Sequence, residues 1–543
     1  MSRLLRGTFI LTIATFFSKF IGMIYIVPFT YLVKLKGVAL YTYAYNPYTI
    51  LLSIATMGVP LAVSKFVSKY NALGDYNTGR RLLKTGLLLM TLTGFLAFIV
   101  LFTIAPFLSS RIVGGSGTQG NSQEDITFVI RMVSTALIIV PSMSLIRGYF
   151  QGFQSMGPTA VSQVIEQIIR IVFIIVGSFV VIKVFHGEIT TAVGLATFAA
   201  TIGAVGGLIV LLWYWKKRSP HLQKLYKENK VNSNISLAQM YKETITYAIP
   251  FVAVGIAIPL YKMVDQFTVV RALEQDGYKQ SAAENVVAIV TQTAHQLVMI
   301  PVSLATAFAL TLIPIITQAY VKDDYKALNK NISQTFQIVL FLTVPAAIGL
   351  SVLAYPAYGT LFSIKDMNHF GGQLLQWYSP TAILFALFTI TAAILQGLNK
   401  QKFALLSMLL GVLFKMVFNE PFIHWFEGIG SLMATNGGYI VSVGLNLIVI
   451  KKYGNFSYKW VYRRTVLILL FSFIMAFIVW LVKIPLLAMF GGEYTKWSSI
   501  FTLIVGAGLG ALVYFFLSYR SGLLGIIFGD RLAFLKKRKQ QRG

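Results

Sequence analysis

Lys19, Glu166, Arg170, Lys262, Asp265, Lys415 and Glu420 all fall inside long stretches of sequence that are otherwise apolar. A charged side chain at the middle of a bilayer costs about 2.5–3.5 kcal/mol on insertion scales, so such residues normally face a cavity or a partner. Glu166 and Arg170 are four apart and Lys262 and Asp265 three apart. Those spacings share a helix face and allow local pairing. Lys19 has no acid within one helical turn, and Lys415 and Glu420, five apart, do not share a face. These two cations need partners from elsewhere. A water-filled cavity lined by lysine and arginine suits an anionic substrate, because phosphate oxygens accept charge-assisted hydrogen bonds strongly from both. The plainer alternatives are salt bridges between lobes and snorkelling to an interface, the latter being the expected fate of Arg131.

The acids admit a second role. Asp265, with Asn419 and Glu420, offers hard oxygen ligands for a coupling monovalent cation, or a protonatable group; simple charge balance is the alternative. His295, beside Gln296, reads as a hydrogen-bonded packing residue before it reads as a proton relay. Prolines 47, 60, 250, 259, 301 and 345 and glycines 22, 58 and 255 are places where helices can bend or break. There is no cysteine and the five histidines lack ligand spacing, so no metal site is expected. No phosphate-binding loop is present, so nucleotide hydrolysis is excluded and no cofactor is expected. A coupling cation or the membrane potential is the expected energy source.

The elements that must position these residues follow from composition. Of 543 residues, 56% are hydrophobic and 12% charged, which excludes an ordinary soluble enzyme. A spanning helix needs about 20 mostly apolar residues. Fourteen such stretches are found, from 7–33 through 497–519, the eighth (284–319) overlong with an expected interfacial turn around Pro314. The formal charge of +28 would suggest nucleic acid in a soluble chain. Here 32 of the 46 lysines and arginines fall in the segments that become cytoplasmic if the N-terminus is inside, against nine outside and five within spans. That bias is topological and places both termini in the cytoplasm, with no nucleic-acid partner expected.

The long polar connection 216–243 separates comparable halves. Gln151-Gly152-Phe153-Gln154 resembles Gln396-Gly397-Leu398-Asn399 at an offset of 245, the offset that also maps Arg170 onto Lys415. Gly74-Asp75-Tyr76 resembles Asp323-Asp324-Tyr325 at 249. The expected architecture is an all-α integral membrane protein: an N-terminal lobe (1–215), a basic linker (216–243), a C-terminal lobe (244–450), two further helices (451–519) and a basic cytoplasmic tail (520–543). The six-helix lobes would be related by a pseudo-twofold axis along the membrane normal, an arrangement transporters rock around a central site.

The run Phe16-Phe17-Ser18-Lys19-Phe20-Ile21-Gly22, the Gly58-Val59-Pro60 break, the stretch Arg147-Gly148-Tyr149-Phe150-Gln151-Gly152 and the six-plus-six-plus-two helix count resemble the polysaccharide-export branch of the MOP superfamily. Within it the chain is most similar to the Gram-positive MurJ-type lipid II flippases, near the stage V sporulation protein B relatives, over nearly its whole length. The resemblance implies a cationic central cavity for the diphosphate and sugar of lipid II, with the last two helices forming a groove for its undecaprenyl tail. It puts the family's helix-one basic residue at Lys19 and a family cation site near Asp265 and Asn419. Basic positions known in helices two and eight of Gram-negative members are not matched; the latter falls at Gln296, beside His295, which shifts weight to Arg170, Lys262 and Lys415.

The expected protein is therefore a non-enzymatic flippase of a bacterial cytoplasmic membrane, acting as a monomer on an undecaprenyl-linked anionic glycolipid by alternating access, among membrane lipids and cell-wall synthesis enzymes. Teichoic acid, capsule or sporulation-related glycans remain open as cargo. A multidrug antiporter of the same superfamily should carry an early membrane-embedded acid, where helix one offers Lys19. A glycosyltransferase should carry catalytic acids outside, where only Glu124, Asp125 and Glu188 are scattered. A non-transporting scaffold gives no reason for several buried charges.

Overall fold

Long apolar runs punctuated by short polar turns leave the backbone no option in a bilayer but helix, and helix is what the chain forms. The computed structural model describes residues 14, 17–18, 21–56, 59–113, 120–229, 231 and 235–528. Lys19, Gly58 and the tail from 529 onward lie outside the described residues. Among the described residues there is no strand, and twelve helices are long and apolar enough to span a membrane.

Two differences separate twelve from the fourteen expected. The first two spans merge into α1 (Ile21–Thr56), whose two halves meet at a kink where Lys34 takes φ 60 and ψ 179. The seventh breaks at Gly255, one of the anticipated break points, into α7 (Leu237–Gly255) and α8 (Ala257–Gln275). Between these lie α2 (Val59–Ala72), α3 (Tyr76–Ile112), α4 (Gln123–Gly152), α5 (Met156–Val184) and α6 (Ile189–Lys227). The eighth span corrects an expectation. Helix α9 (Gln280–Ala288) passes through a π-helical turn at Ile289–Thr293 into α10 (Ala294–Val321), which runs unbroken past position 314. The irregularity sits some twenty residues before the proline that was expected to mark it, because a helix can continue through a proline at the expense of one hydrogen bond. Then follow α11 (Tyr325–Val352), α12 (Ala354–Leu361), α13 (Gly372–Gly397), α14 (Gln401–Phe426), α15 (Gly428–Gly454), α16 (Lys459–Ala488), α17 (Lys496–Arg520) and the short α18 (Leu523–Phe528).

The internal repeat has a structural counterpart in its turns. Gln154, just past α4, and Asn399, just past α13, both adopt left-handed φ values, 55 and 57. Asp75 caps α3 by accepting the Thr78 N–H at 3.0 Å, and Asp324 caps α11 by accepting that of Ala327 at 2.9 Å. Each cap satisfies one of the orphan donors of a helix start. The same left-handed turn and the same aspartate cap thus recur at the offsets of 245 and 249 that the sequence shows.

By contacts the chain divides into two units, Met1–Ala288 and Ile289–Gly543, so α7, α8 and α9 count with the first. The 216–243 connection lies inside that unit. Specific interactions explain it. Met240 of α7 joins a buried cluster with Phe66, Tyr70, Leu83 and Tyr149. Asn46 of α1 donates to Gln266 of α8 at 3.0 Å, and Gln266 donates to the Tyr43 carbonyl at 3.0 Å. Glu284 of α9 accepts the Asn121 backbone N–H at 3.0 Å, the Asn121 side-chain amide at 2.8 Å and Gln280 at 3.0 Å, all three residues being buried.

Glu284→Ala should therefore lower stability by about 3 kcal/mol, because it strands several buried donors at once. Glu284→Gln, which keeps one acceptor oxygen, should cost clearly less. Unfolding midpoints of the purified variants decide the point, and equal losses would show that the hydrogen bonds are not what the carboxylate contributes.

Candidate functional site

In the first unit the chemistry gathers where α4, α5 and α6 meet. Glu166 of α5 accepts Arg170 Nη2 through Oε1 at 2.5 Å and Arg147 Nη2 of α4 through Oε2 at 2.8 Å. Arg147 also donates to Ser162 at 2.7 Å. The three charged side chains are only 12–20% exposed. One carboxylate thus serves two guanidinium groups, and the cluster keeps a net positive charge. Helix α6 can approach this closely because of Gly203, where an added Cβ would lie 2.9 Å from the Glu166 carbonyl and 3.0 Å from Arg170 Cβ.

A tyrosine wall from α1 faces the same cation. Tyr41, Tyr45 and Tyr48 are within electrostatic range of Arg170. Tyr25 donates to the Tyr41 hydroxyl at 3.1 Å, and the Tyr41 and Tyr45 rings stack at 4.6 Å. Arg170 Nε is buried with no hydrogen-bond partner among the described residues. Gly22 packs against α5, since a Cβ there would meet Gln167 Nε2 at 2.8 Å. Lys19 itself lies outside the described residues.

Lys262 and Asp265, on α8 of the same unit, interact electrostatically as their spacing predicts, and Asp265 is buried. In the second unit Lys415 is wholly buried against α15 and donates to Thr435 Oγ1 at 2.6 Å. In this structure Lys415 reaches no solvent, unlike its offset partner Arg170. Asn419 is buried one turn further along α14, while Glu420 is exposed, so these two neighbours do not converge. Asp265 belongs to the first unit and Asn419 and Glu420 to the second. Among the described residues no group of three or more His, Cys, Asp or Glu could hold a metal. His295 is buried and hydrogen-bonds through Nδ1 to the Tyr378 hydroxyl at 2.7 Å, a packing role; Gln296 beside it is half-buried.

Sequence reasoning missed Arg147 as a site residue. In sequence it reads as a topological charge between spans, and its acid lies nineteen positions away, beyond any local spacing rule. The tyrosine wall gave no local signal beyond the recurrence of tyrosine at 41, 45 and 48.

A second feature lies wholly in the second unit. Helices α11, α16 and α17 enclose a groove of about 350 Å³ whose walls are almost entirely apolar, including Phe341, Pro345, Met475, Val479, Gly506 and Gly510. The small residues of α17 keep it open, and the Tyr514 hydroxyl donates to the Phe341 carbonyl at 3.0 Å across it.

Comparison with known proteins meets this geometry. A family model for polysaccharide biosynthesis proteins matches residues 4–320, and the model for lipid II flippase MurJ matches 172–504. Lipid II flippase MurJ of Bacillus subtilis (strain 168) is 47% identical over 532 residues, 98% of either chain. Stage V sporulation protein B of the same organism is 23% identical, covering 76% of each. Among solved structures, lipid II flippase MurJ in an inward closed conformation aligns with 96% of this chain and 99% of its own at TM-score 0.63 and 16% identity. An inward-facing multidrug resistance MATE family transporter of the MOP superfamily covers 79% of this chain and 94% of its own at TM-score 0.59 and 14% identity. The structural likenesses establish the fold, and the extent of the sequence match settles membership: this multi-pass membrane protein belongs to the MurJ lipid II flippase family.

Proposed function

We propose that the protein moves lipid II, the undecaprenyl-diphosphate-linked peptidoglycan precursor, from the inner to the outer leaflet of a bacterial cytoplasmic membrane, with both termini inside. The observation that carries this is the apolar groove between α11, α16 and α17. A carrier of water-soluble anions has no use for a long hydrocarbon slot. A carrier of a polyprenyl-linked headgroup has a use for one, because the slot keeps the isoprenoid chain beside the protein in apolar surroundings, where each methylene held out of water is worth about 0.8 kcal/mol. The headgroup is assigned to Lys19 and Arg170, with Lys262 of the same unit as a further cation; Lys415, buried in the second unit, is not assigned to it. Arg147 and Glu166 hold Arg170 in place.

The energy source is proposed to be the membrane potential or a coupling monovalent cation at Asp265, each unit charge crossing the field being worth about 2.3 kcal/mol per 100 mV. The protein is proposed to act as a monomer alongside cell-wall synthesis enzymes. The deciding experiment depletes the protein in its host and scores, by accessibility to an external lipid II-cleaving toxin, which leaflet holds lipid II. Inner-leaflet accumulation rescued by the wild type and not by Lys19→Ala is the expected result. An unchanged distribution would move the assignment to another polyprenyl-linked glycan.

A further inference from the structure

A pocket of about 460 Å³, lined mainly by polar and charged residues, opens at the end of the second unit where α11 and α16 begin. Its walls include Lys330, Arg464, Asn329, Ser333, Asn455 and Trp460, and among the described residues no acid lines it. Arg464 is the unusual member. It is half-buried, has no acidic partner among the described residues, and is oriented by a hydrogen bond from Nη1 to the side-chain oxygen of Gln337. Gln337 is itself buried and donates to Ser333 at 2.8 Å. A guanidinium held in place by a buried amide and left without a carboxylate contrasts with Arg147 and Arg170, which share Glu166. Lys330, also without an acidic partner among the described residues, supplies the second positive charge.

The chemistry that answers two cations, two side-chain hydroxyls and two amides, with no acid among the described lining residues to repel it, is a phosphate group. Its depth distinguishes a lipid from a soluble ion. Trp460, at the rim, is 59% exposed and Tyr462 70%, and exposed tryptophan and tyrosine at a helix start mark the membrane–water interface. Lys451, Lys452, Lys459 and Arg463 surround the same end, where the charge count places the inner leaflet with its anionic headgroups. Along α11 the pocket's Ser333 lies eight residues, about 12 Å of helix, before Phe341 of the apolar groove. A lipid held by its phosphate here would lay its chains along the same pair of helices.

We infer that this pocket binds the phosphate headgroup of an anionic inner-leaflet phospholipid of the phosphatidylglycerol class. The inference stands apart from the flippase assignment, and its test reads lipid binding rather than flipping. Full-length protein in detergent is titrated with dioleoylphosphatidylglycerol, dioleoylphosphatidylcholine or inorganic phosphate while its unfolding temperature is followed. The expected result is a saturable rise with phosphatidylglycerol alone. Arg464→Gln and Lys330→Gln should each raise the half-saturating lipid concentration at least tenfold, and Lys183→Gln, exposed and in the first unit, should leave it unchanged. Lys330 is exposed, so its variant reports on binding even where Arg464→Gln perturbs folding. Equal stabilisation by phosphatidylcholine, or wild-type saturation in both pocket variants, would overturn the site. Equal stabilisation by inorganic phosphate, lost in the same variants, would overturn the lipid as its ligand.

Discussion

Glu166→Ala is expected to destabilise the protein by about 3 kcal/mol or more, more than the loss of either arginine it holds. Each carboxylate oxygen is committed to a different guanidinium, Oε1 to Arg170 at 2.5 Å and Oε2 to Arg147 at 2.8 Å. Removing the acid leaves two like charges facing each other in a largely dry interface, and breaking a buried pair costs more than the pair itself contributes. Removing Arg170 instead leaves Glu166 with Arg147, which retains Ser162 as well. Arg170→Gln should therefore fold nearly normally. In the Glu166→Gln background it should recover part of the lost stability, a positive coupling readable from a double-mutant cycle. Unfolding midpoints measure this half of the prediction. The other half is functional: Arg170→Gln, though folded, should fail to restore outer-leaflet lipid II in depleted cells. If it unfolds as deeply as Glu166→Ala, the cluster is a structural tie and the cation does not serve the substrate.

That cluster shows what could and could not be read from the chain. Glu166 and Arg170 were legible because four residues make one helical turn, and the cost of charge in a bilayer singled them out. Arg147 was not, because tertiary packing brings it to the acid from a different helix. The fold was legible for a related reason. Backbone in hydrocarbon must satisfy its own hydrogen bonds, so apolar length alone dictates helix, and even the duplicated turns at Gln154 and Asn399 were foreshadowed by four-residue similarity. What hydropathy does not encode is the local choice of where a helix yields. The π-turn at Ile289–Thr293 and the kink at Lys34 fall at ordinary residues, while the proline expected to mark a turn is carried in line. Lys415 marks another limit. Spacing says that it needs a partner outside its own turn, but nothing in sequence says that Thr435 of α15 is among the groups it meets.

Filling the apolar groove should produce the opposite pairing of effects, activity lost and stability kept. Ala507 and Ala511 of α17 line it and are exposed to its space, so a phenylalanine at either would occupy part of the roughly 350 Å³ that the groove leaves open. The neighbouring glycines are poorer choices: a Cβ at Gly506 would sit 2.8 Å from Leu353 Cδ2, and one at Gly510 3.2 Å from Val479 Cγ2, so larger residues there strain the helix packing. At the alanines a new ring covers apolar wall that is otherwise uncovered in the protein, and burying an aromatic side chain contributes about 1.5–3 kcal/mol when the fit is good. The unfolding midpoint of Ala507→Phe should thus be unchanged or raised. Flipping should fall at least tenfold, because a polyprenyl chain displaced from the groove must cross with its headgroup unsupported. Val172→Phe, at an exposed apolar position of α5 away from the groove, should change neither. Normal lipid II distribution in cells carrying Ala507→Phe, with the midpoint raised as expected, would show that the groove is filled and the lipid tail travels elsewhere.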